Sequence, residues 1–370
     1  MIKSADKWLP GYLAWWWNKS SRPVTDMILT VCDHFEPFHD TDKTGALERM
    51  ARWQKSLPEV NSAQQDSDGH LPKHTFFYPI EQYDQDVVGE LESLARNTGN
   101  EVEIHLHHEG ESANQLSEVL HQGVEHFKSH GFLGTDAHGQ QRFAFIHGNW
   151  ALDDANLDGR GCGTRGELAL LRKAGCYADL TMPSAPHPTQ CRMVNQAYYA
   201  RSTMHGRSHD RGIPVSQKRP PLRDDLDHLL LVQGPLGIDM GNRKWQVIPR
   251  IENSDLTNNN PPSVRRAKNW LNLAPRVEHQ PGWCFIKLHT HGALERNQKI
   301  LLTQEARQYH ESLRSFAKQS GIRLHYASAR ELTNILHAAE DGKSGDAGLW
   351  RDYIYKRPDF LRPHAHSIHI

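Results

Sequence analysis

Short runs of β-branched and aromatic residues alternate along this chain with longer stretches of helical periodicity. The runs at 27–32, 74–78, 102–106, 142–146, 228–232, 245–248, 284–288 and 323–326 predict strands. Apolar spacing predicts helices over 45–56, 86–96, 113–130, 164–174, 262–273, 303–320 and 329–340. Thr164 followed by Glu167 reads as a capping box, and Gly175 as the glycine that ends the same helix. Strands separated by helices predict an α/β fold, with a parallel sheet or barrel covered on both faces. Three regions break the rhythm. Residues 183–225, rich in Pro, Arg and His, predict a long excursion or lid, and 253–262 a polar loop before a helix. The tail after 341 is polar, then aromatic and His-rich.

The polar residues fall where such folds place their chemistry. Asp33 and His34 end the first strand run, and His105, His107 and His108 end the third. His147 follows the fourth, with Asn149 and Trp150 just beyond it. His289 and His291 follow 284–288, and Asp179 follows the short apolar segment 175–177. The carboxyl ends of parallel strands converge on one mouth, so these acids and imidazoles are expected to meet in space. His105 and His107 stand i, i+2 on an extended chain and share a face, as do His289 and His291. Two imidazoles, a carboxylate and an open position form a common catalytic zinc arrangement. Any one of these elements alone reads more readily as a surface histidine, a turn or a satisfied core residue. Their coincidence at strand ends makes the functional reading.

Composition narrows the classes. With 43 basic and 44 acidic side chains in 370 residues the formal charge is −1, which removes the electrostatic case for nucleic-acid binding. The 25 histidines make solubility and activity sensitive to pH between about 5 and 7.5. Five cysteines without a CxxC pair predict reduced thiols rather than disulfides or a thiolate zinc site. No apolar run reaches the roughly 18–20 residues that span a bilayer. The aromatic cluster Tyr12, Trp15, Trp16 and Trp17, flanked by Lys3, Lys7, Lys19 and Arg22, lacks a signal-peptide core. It is expected to pack on the body of the protein, a membrane-surface position being the alternative. A cytoplasmic, at most membrane-peripheral, location follows as the expectation.

Other motifs say less. Residues 161–166 satisfy GxGxxG, but no buried strand precedes them, so they read as a loop entering a helix. The basic run of Arg201, Arg207, Arg211, Lys218, Arg219 and Arg223 reads as a solvated loop, with anion contact as the alternative.

At these residues the chain resembles the polysaccharide deacetylase superfamily, the NodB-homology or carbohydrate esterase family 4-like group. It is most similar to the divergent branch found in surface-polysaccharide biosynthesis. Leu29-Thr30-Val31-Cys32-Asp33-His34 resembles the first motif, His74-Thr75-Phe76-Phe77 the second strand, and Glu103-Ile104-His105-Leu106-His107 the metal-histidine motif. Phe145–Trp150, Gly175–Asp179 and Ile286-Lys287-Leu288-His289 follow in the family's order, over about residues 26–340. The resemblance implies an irregular (β/α)7 barrel of the glycoside hydrolase/deacetylase type, with an aromatic extension at 1–25, an insertion at 183–225 and a tail at 341–370. It implies a divalent metal, zinc by preference, and removal of an N-acetyl or related acyl group from a carbohydrate or lipid-linked sugar in surface-polysaccharide or lipopolysaccharide biosynthesis.

The implied ligands are Asp33, His34, His105 and His107, with Glu111 the alternative to His105. Asp33 is the base if it is not a ligand, Cys32 occupying the base position in the ungapped alignment. His289 is the implied acid, oriented by Asp179, with His291 as its alternative. His147, Asn149 and Trp150 are expected at the substrate. Two other readings stand beside this one. The first is a sugar- or metal-binding barrel without turnover. The second is a glycosidase using Glu36 with Asp33 or Asp179 as a carboxyl pair about 5–9.5 Å apart.

Overall fold

The run Asp-Met-Ile-Leu-Thr-Val-Cys-Asp-His forms a strand buried on nearly every residue, as expected at the centre of a parallel sheet. In the computed structural model, residues 4–361 are described, apart from 157, 219 and 246. Lys3, Arg219 and the tail 362–370 lie outside the described residues. In chain order the elements begin α1 (Ala5–Asn18), β1 (Asp26–His34), α2 (Lys43–Asn61), β2 (Thr75–Pro79), α3 (Gln85–Thr98) and β3 (Glu101–Leu106). They continue α4 (Ala113–Ser129), β4 (Gly134–Thr135), β5 (Gln141–His147), α5 (Glu167–Ala174), β6 (Cys176–Asp179), β7 (Ala197–Arg201), β8 (Ile213–Pro214) and β9 (His228–Val232). The last are β10 (Gly237–Lys244), β11 (Ile248–Glu252), α6 (Val264–Leu273), β12 (Trp283–Thr290), α7 (Glu295–Leu301), α8 (Gln304–Gln319), β13 (Arg323–Tyr326) and α9 (Ala329–Glu340).

Strands β12, β1, β2, β3, β5, β6 and β9 pair in parallel in that order. β13 pairs with the first half of β1 and β2 with its end. Beyond β9 the sheet continues antiparallel through β7 and β8. Among the described residues no backbone ladder joins β9 to β12.

Side-chain alternation sorts the strands into two faces. Ile28 and Cys32 of β1, Phe77 of β2, Ala144 and Ile146 of β5, Leu230 of β9 and Phe285 of β12 share one buried cluster with Leu332, Ile335 and Leu336 of α9. Met27 and Leu29 pack instead with α6 and α8, and Phe143 and Phe145 with the α2–α5 layer. Every residue of α9 is buried. Its polar members are paired, Arg330 with Glu101 and Asp352, and Asn334 with the backbone of Arg351, Ile354 and Tyr355.

Two expectations need correction, and two others gain detail. The run 245–248 is not a strand of the main sheet. It spans the turn of the β10–β11 hairpin, where Trp245 and Val247 are exposed. The helix expected at 164–174 starts only at Glu167, with Gly166 as a left-handed N-cap and no capping box. The Thr164 hydroxyl donates to the Glu111 carbonyl at 2.7 Å, and the Glu167 carboxylate turns to Asp153 and His108. Segment 183–225 builds β7 and β8 on the sheet edge. In the basic run Arg201, Arg211 and Lys218 are exposed, as a solvated loop predicts, whereas Arg207 is enclosed with Asp210 and Arg223 with Glu340 and Asp341.

Helix α1 forms despite Pro10-Gly11. Trp8 and Tyr12 bury against Val194, Leu236 and Leu273, while Trp17 is 84% exposed. A Cβ on Gly11 would lie 1.9 Å from the Arg192 carbonyl oxygen, so glycine permits this close approach. No described helix is long and apolar enough to cross a membrane.

Candidate functional site

On the inner face, the ends of β1, β3 and β12 bring imidazoles together around one carboxylate. Glu36, two residues past His34, is buried, and its Oε1 lies 3.2 Å from His105 Nε2 and 3.4 Å from His107 Nε2. The other nitrogen of each ring is committed. His105 Nδ1 donates to the Ile146 carbonyl at 2.9 Å, and His107 Nδ1 donates to Glu81 at 2.6 Å. A neutral imidazole that donates through Nδ1 has a lone pair on Nε2. Here both lone pairs would face a carboxylate, so a cation, either a proton or a metal, belongs between them. This is the outer hydrogen-bond pattern of metal-binding histidines.

His34 completes the group. Its ring lies 4.8 Å from that of His105 and 4.7 Å from that of His291, and neither of its nitrogens has a hydrogen-bond partner. One donor atom each from His34, Glu36 and His105 falls within 4.8 Å of the others. Burial and the neighbouring His291 and His105 push the His34 pKa well down, so its ring is neutral. Burial opposes charge on Glu36, yet the bonds from His105 and His107 hold its carboxyl far below the usual range. Burial also opposes charge on His107, but Glu36 and Glu81 raise it to about 9. The site is therefore an anion framed by imidazoles, a donor set that could hold a metal ion. Trp150, with a positive φ of 54°, sits at the rim 6.4–6.5 Å from the His34 and His291 rings.

Other sequence candidates lie elsewhere. Asp33 is on the opposite side of β1 from His34, where His74 Nε2 lies 2.6 Å from its Oδ2 and the Gly292 amide donates to Oδ1 at 2.6 Å. Both oxygens are thus engaged away from the imidazoles, which argues against Asp33 as ligand or base. Asp179 accepts from the Thr181 amide and hydroxyl and not from His289, while burial raises it to about 7. His289 reaches the inner face 6.2 Å from His34, but its Nδ1 has no partner and burial drives its pKa well down. His291 is less enclosed and neutral, its pKa lowered by burial.

His147 and Asn149 are not at the mouth. His147 follows the parity of Phe143 and Phe145 to the outer face, its ring 4.7 Å from that of His108. Asn149 ties the His108 and Gly161 carbonyls together. Glu111 lies 3.3 Å from His108 and makes no contact with Glu36. Two acids at the site were not among the ligands expected there: Glu36, which faces His105 and His107, and Glu81, which holds His107 through Nδ1. Glu36 was legible, because His34 and Glu36 repeat the i, i+2 spacing of His105 and His107. A groove of about 790 Å³ between α1 and the body, lined by Trp15, Arg192 and Arg276, contains none of these imidazoles.

Another cluster, Asp26, His325 and Asp346, is an ion-pair network at the start of β1, where Arg323 and Asp68 already satisfy Asp26 and His325. All five cysteines are unpaired and buried. Comparison of the chain with protein-family models and with curated proteins finds no match to either.

Proposed function

We propose that this chain is a metal-dependent hydrolase that removes an N-acetyl or related acyl group from a free or lipid-linked sugar in surface-polysaccharide or lipopolysaccharide biosynthesis. The observation that carries the reading is the pair His105 and His107, both held through Nδ1 and both presenting Nε2 to Glu36. An irregular (β/α)7 barrel is the proposed architecture, supported by seven strands in parallel order and by one face of six of them clustering with α9.

Glu36, His105 and His107 would hold the ion, with His34 beside them. His and carboxylate donors suit zinc, and one rim open to solvent suits catalysis rather than a closed structural site. A divalent ion bound there would polarise the acyl carbonyl and lower the pKa of a water. The chain's own residues supply the rest. Trp150 offers an aromatic face for a sugar ring at the rim. His291, neutral and half-buried, takes and returns the proton that the leaving amine needs, in place of His289. Asp33 is a positioning residue, since its bond to the Gly292 amide fixes the turn that carries His291.

His291→Ala is expected to lower acetate release from N-acetylated amino-sugar precursors by about 10²–10⁴-fold while metal content stays unchanged. Wild-type turnover in that variant would remove His291 from the role. Gly148 provides a second test. A Cβ there would lie 2.3–2.6 Å from His107 ring atoms. Gly148→Ala should displace the ring and weaken metal binding on the order of 10–100-fold, read by competition with a chelator. Unchanged affinity would take His107 out of the ligand set.

Binding without turnover is favoured by one feature. Cys32, in the position of the family's base, has a thiol that burial pushes up to about 12 and so provides no base. Metal and sugar binding with no acetate released would select that reading.

A further inference from the structure

Behind the Glu36 site, on the outer side of β3 and β5, four more donors converge. His108 lies just beyond β3, His147 ends β5, Cys162 sits in the glycine-rich segment and Glu167 opens α5. One donor atom from each lies within 4.8 Å of the other three, and all four residues are buried. We propose that His108, His147, Cys162 and Glu167 form a closed structural zinc site, distinct from the Glu36 site and without an open position for substrate.

The donor chemistry fits. Two imidazoles, one thiolate and one carboxylate make a four-ligand set of the kind that zinc takes in tetrahedral sites. The present contacts leave one of the four donors without a partner. His147 Nε2 is wholly buried without a hydrogen-bond partner and stands 3.8 Å from Glu167 Oε1, too far for a bond. His108 Nε2 lies 3.2 Å from the same oxygen, and Cys162 Sγ 3.5 Å from Glu167 Oε2. A buried carboxylate surrounded by two imidazoles and a sulfur is the environment a divalent cation would satisfy.

The outer contacts agree. The amides of Asp154 and Thr164 donate to Cys162 Sγ at 3.3 and 3.4 Å, contacts that a metal-bound sulfur would keep. The Asp153 amide donates to Glu167 Oε2 at 2.5 Å, and the Asp153 carboxylate accepts the Gly166 and Glu167 amides at 2.9 and 3.0 Å, fixing the start of α5. Binding at His147 Nε2 moves the ring proton to Nδ1, so the 3.2 Å contact from the Asn149 amide is given up. The same site explains why α5 lacks its capping box, since Glu167 is turned inward as a ligand.

The test uses protein expressed in cobalt-supplemented minimal medium and purified without chelators. A cobalt–thiolate site shows a near-ultraviolet charge-transfer band, which the thiol-free Glu36 site cannot give. The band is expected in wild type, in Glu36→Gln and in Cys32→Ser, and is expected to vanish in Cys162→Ser with loss of about one cobalt per chain by elemental mass spectrometry. Wild-type protein with bound cobalt and no such band would overturn the proposal, whether or not any variant folds. A band kept in Cys162→Ser and lost in Cys32→Ser would overturn it as well. Failure of acetate release leaves the band untouched, so the two readings fall separately.

Discussion

Glu36→Gln is expected to abolish metal binding at the mouth and to lower acetate release by about 10²–10⁴-fold, the rate equivalent of losing several kcal/mol of Lewis-acid stabilisation. The substitution keeps the side chain's size and removes its charge. His105 and His107 then face a neutral amide, and the cation between them loses its counter-charge. His107 loses one of the two carboxylates that hold it near 9, so its pKa should fall. Elemental mass spectrometry beside an acetate assay checks the prediction. Full metal content at the mouth in Glu36→Gln would exclude this carboxylate as a ligand. Asp33→Asn makes the contrast, since its contacts are His74 and Gly292 and it should retain the metal.

Asp26→Asn is expected to cost about 3 kcal/mol of stability at pH 7, the lower end of what removing one partner of a buried ion pair costs. Asp26 is fully buried, with Arg323 Nε at 2.7 Å and His325 Nε2 at 2.9 Å from its Oδ1. Arg323 is 42% exposed, which screens its part and sets the figure low. Burial opposes charge on Asp26, but His325 and Arg323 bring its pKa to about 2. The folded value lies below the unfolded one, so the contribution is present above about pH 4 and lost as pH falls towards 2.

His325 has the opposite sign. Against burial, Asp26 and Asp68 raise it to about 9, so its contribution is complete below about 6.5 and lost as pH rises to about 9. Urea midpoints should thus fall on both sides in wild type, and the loss between about pH 4 and 2 should be smaller in Asp26→Asn. Equal midpoints for the two proteins at pH 7 would show that the network contributes nothing.

The elements themselves were legible where packing follows local pattern. The run 228–232 is β9 residue for residue, and α9 spans 329–340 as its periodicity predicts. The failures share a cause. Trp245 and Val247 look like a strand but lie at a hairpin turn, because the pairing of β10 with β11 decides that segment. Thr164 and Glu167 look like a capping box, yet each finds a partner outside the helix, Glu111 for one and Asp153 with His108 for the other.

The sequence by itself determined the strand–helix alternation, the placing of imidazoles at strand ends, and which neighbours on one strand share a face. A spacing of two predicts that sharing for His105 with His107 and for His289 with His291, because side chains alternate along an extended chain. Only the tertiary structure decided which strands' faces meet. It set Asp33 against His74 and Gly292, sent His147 outward to Glu167, and gathered Cys162 from a loop to the same place. The reason is that one-residue parity is local, whereas the meeting of two faces depends on sheet order and register, which the whole chain's packing fixes.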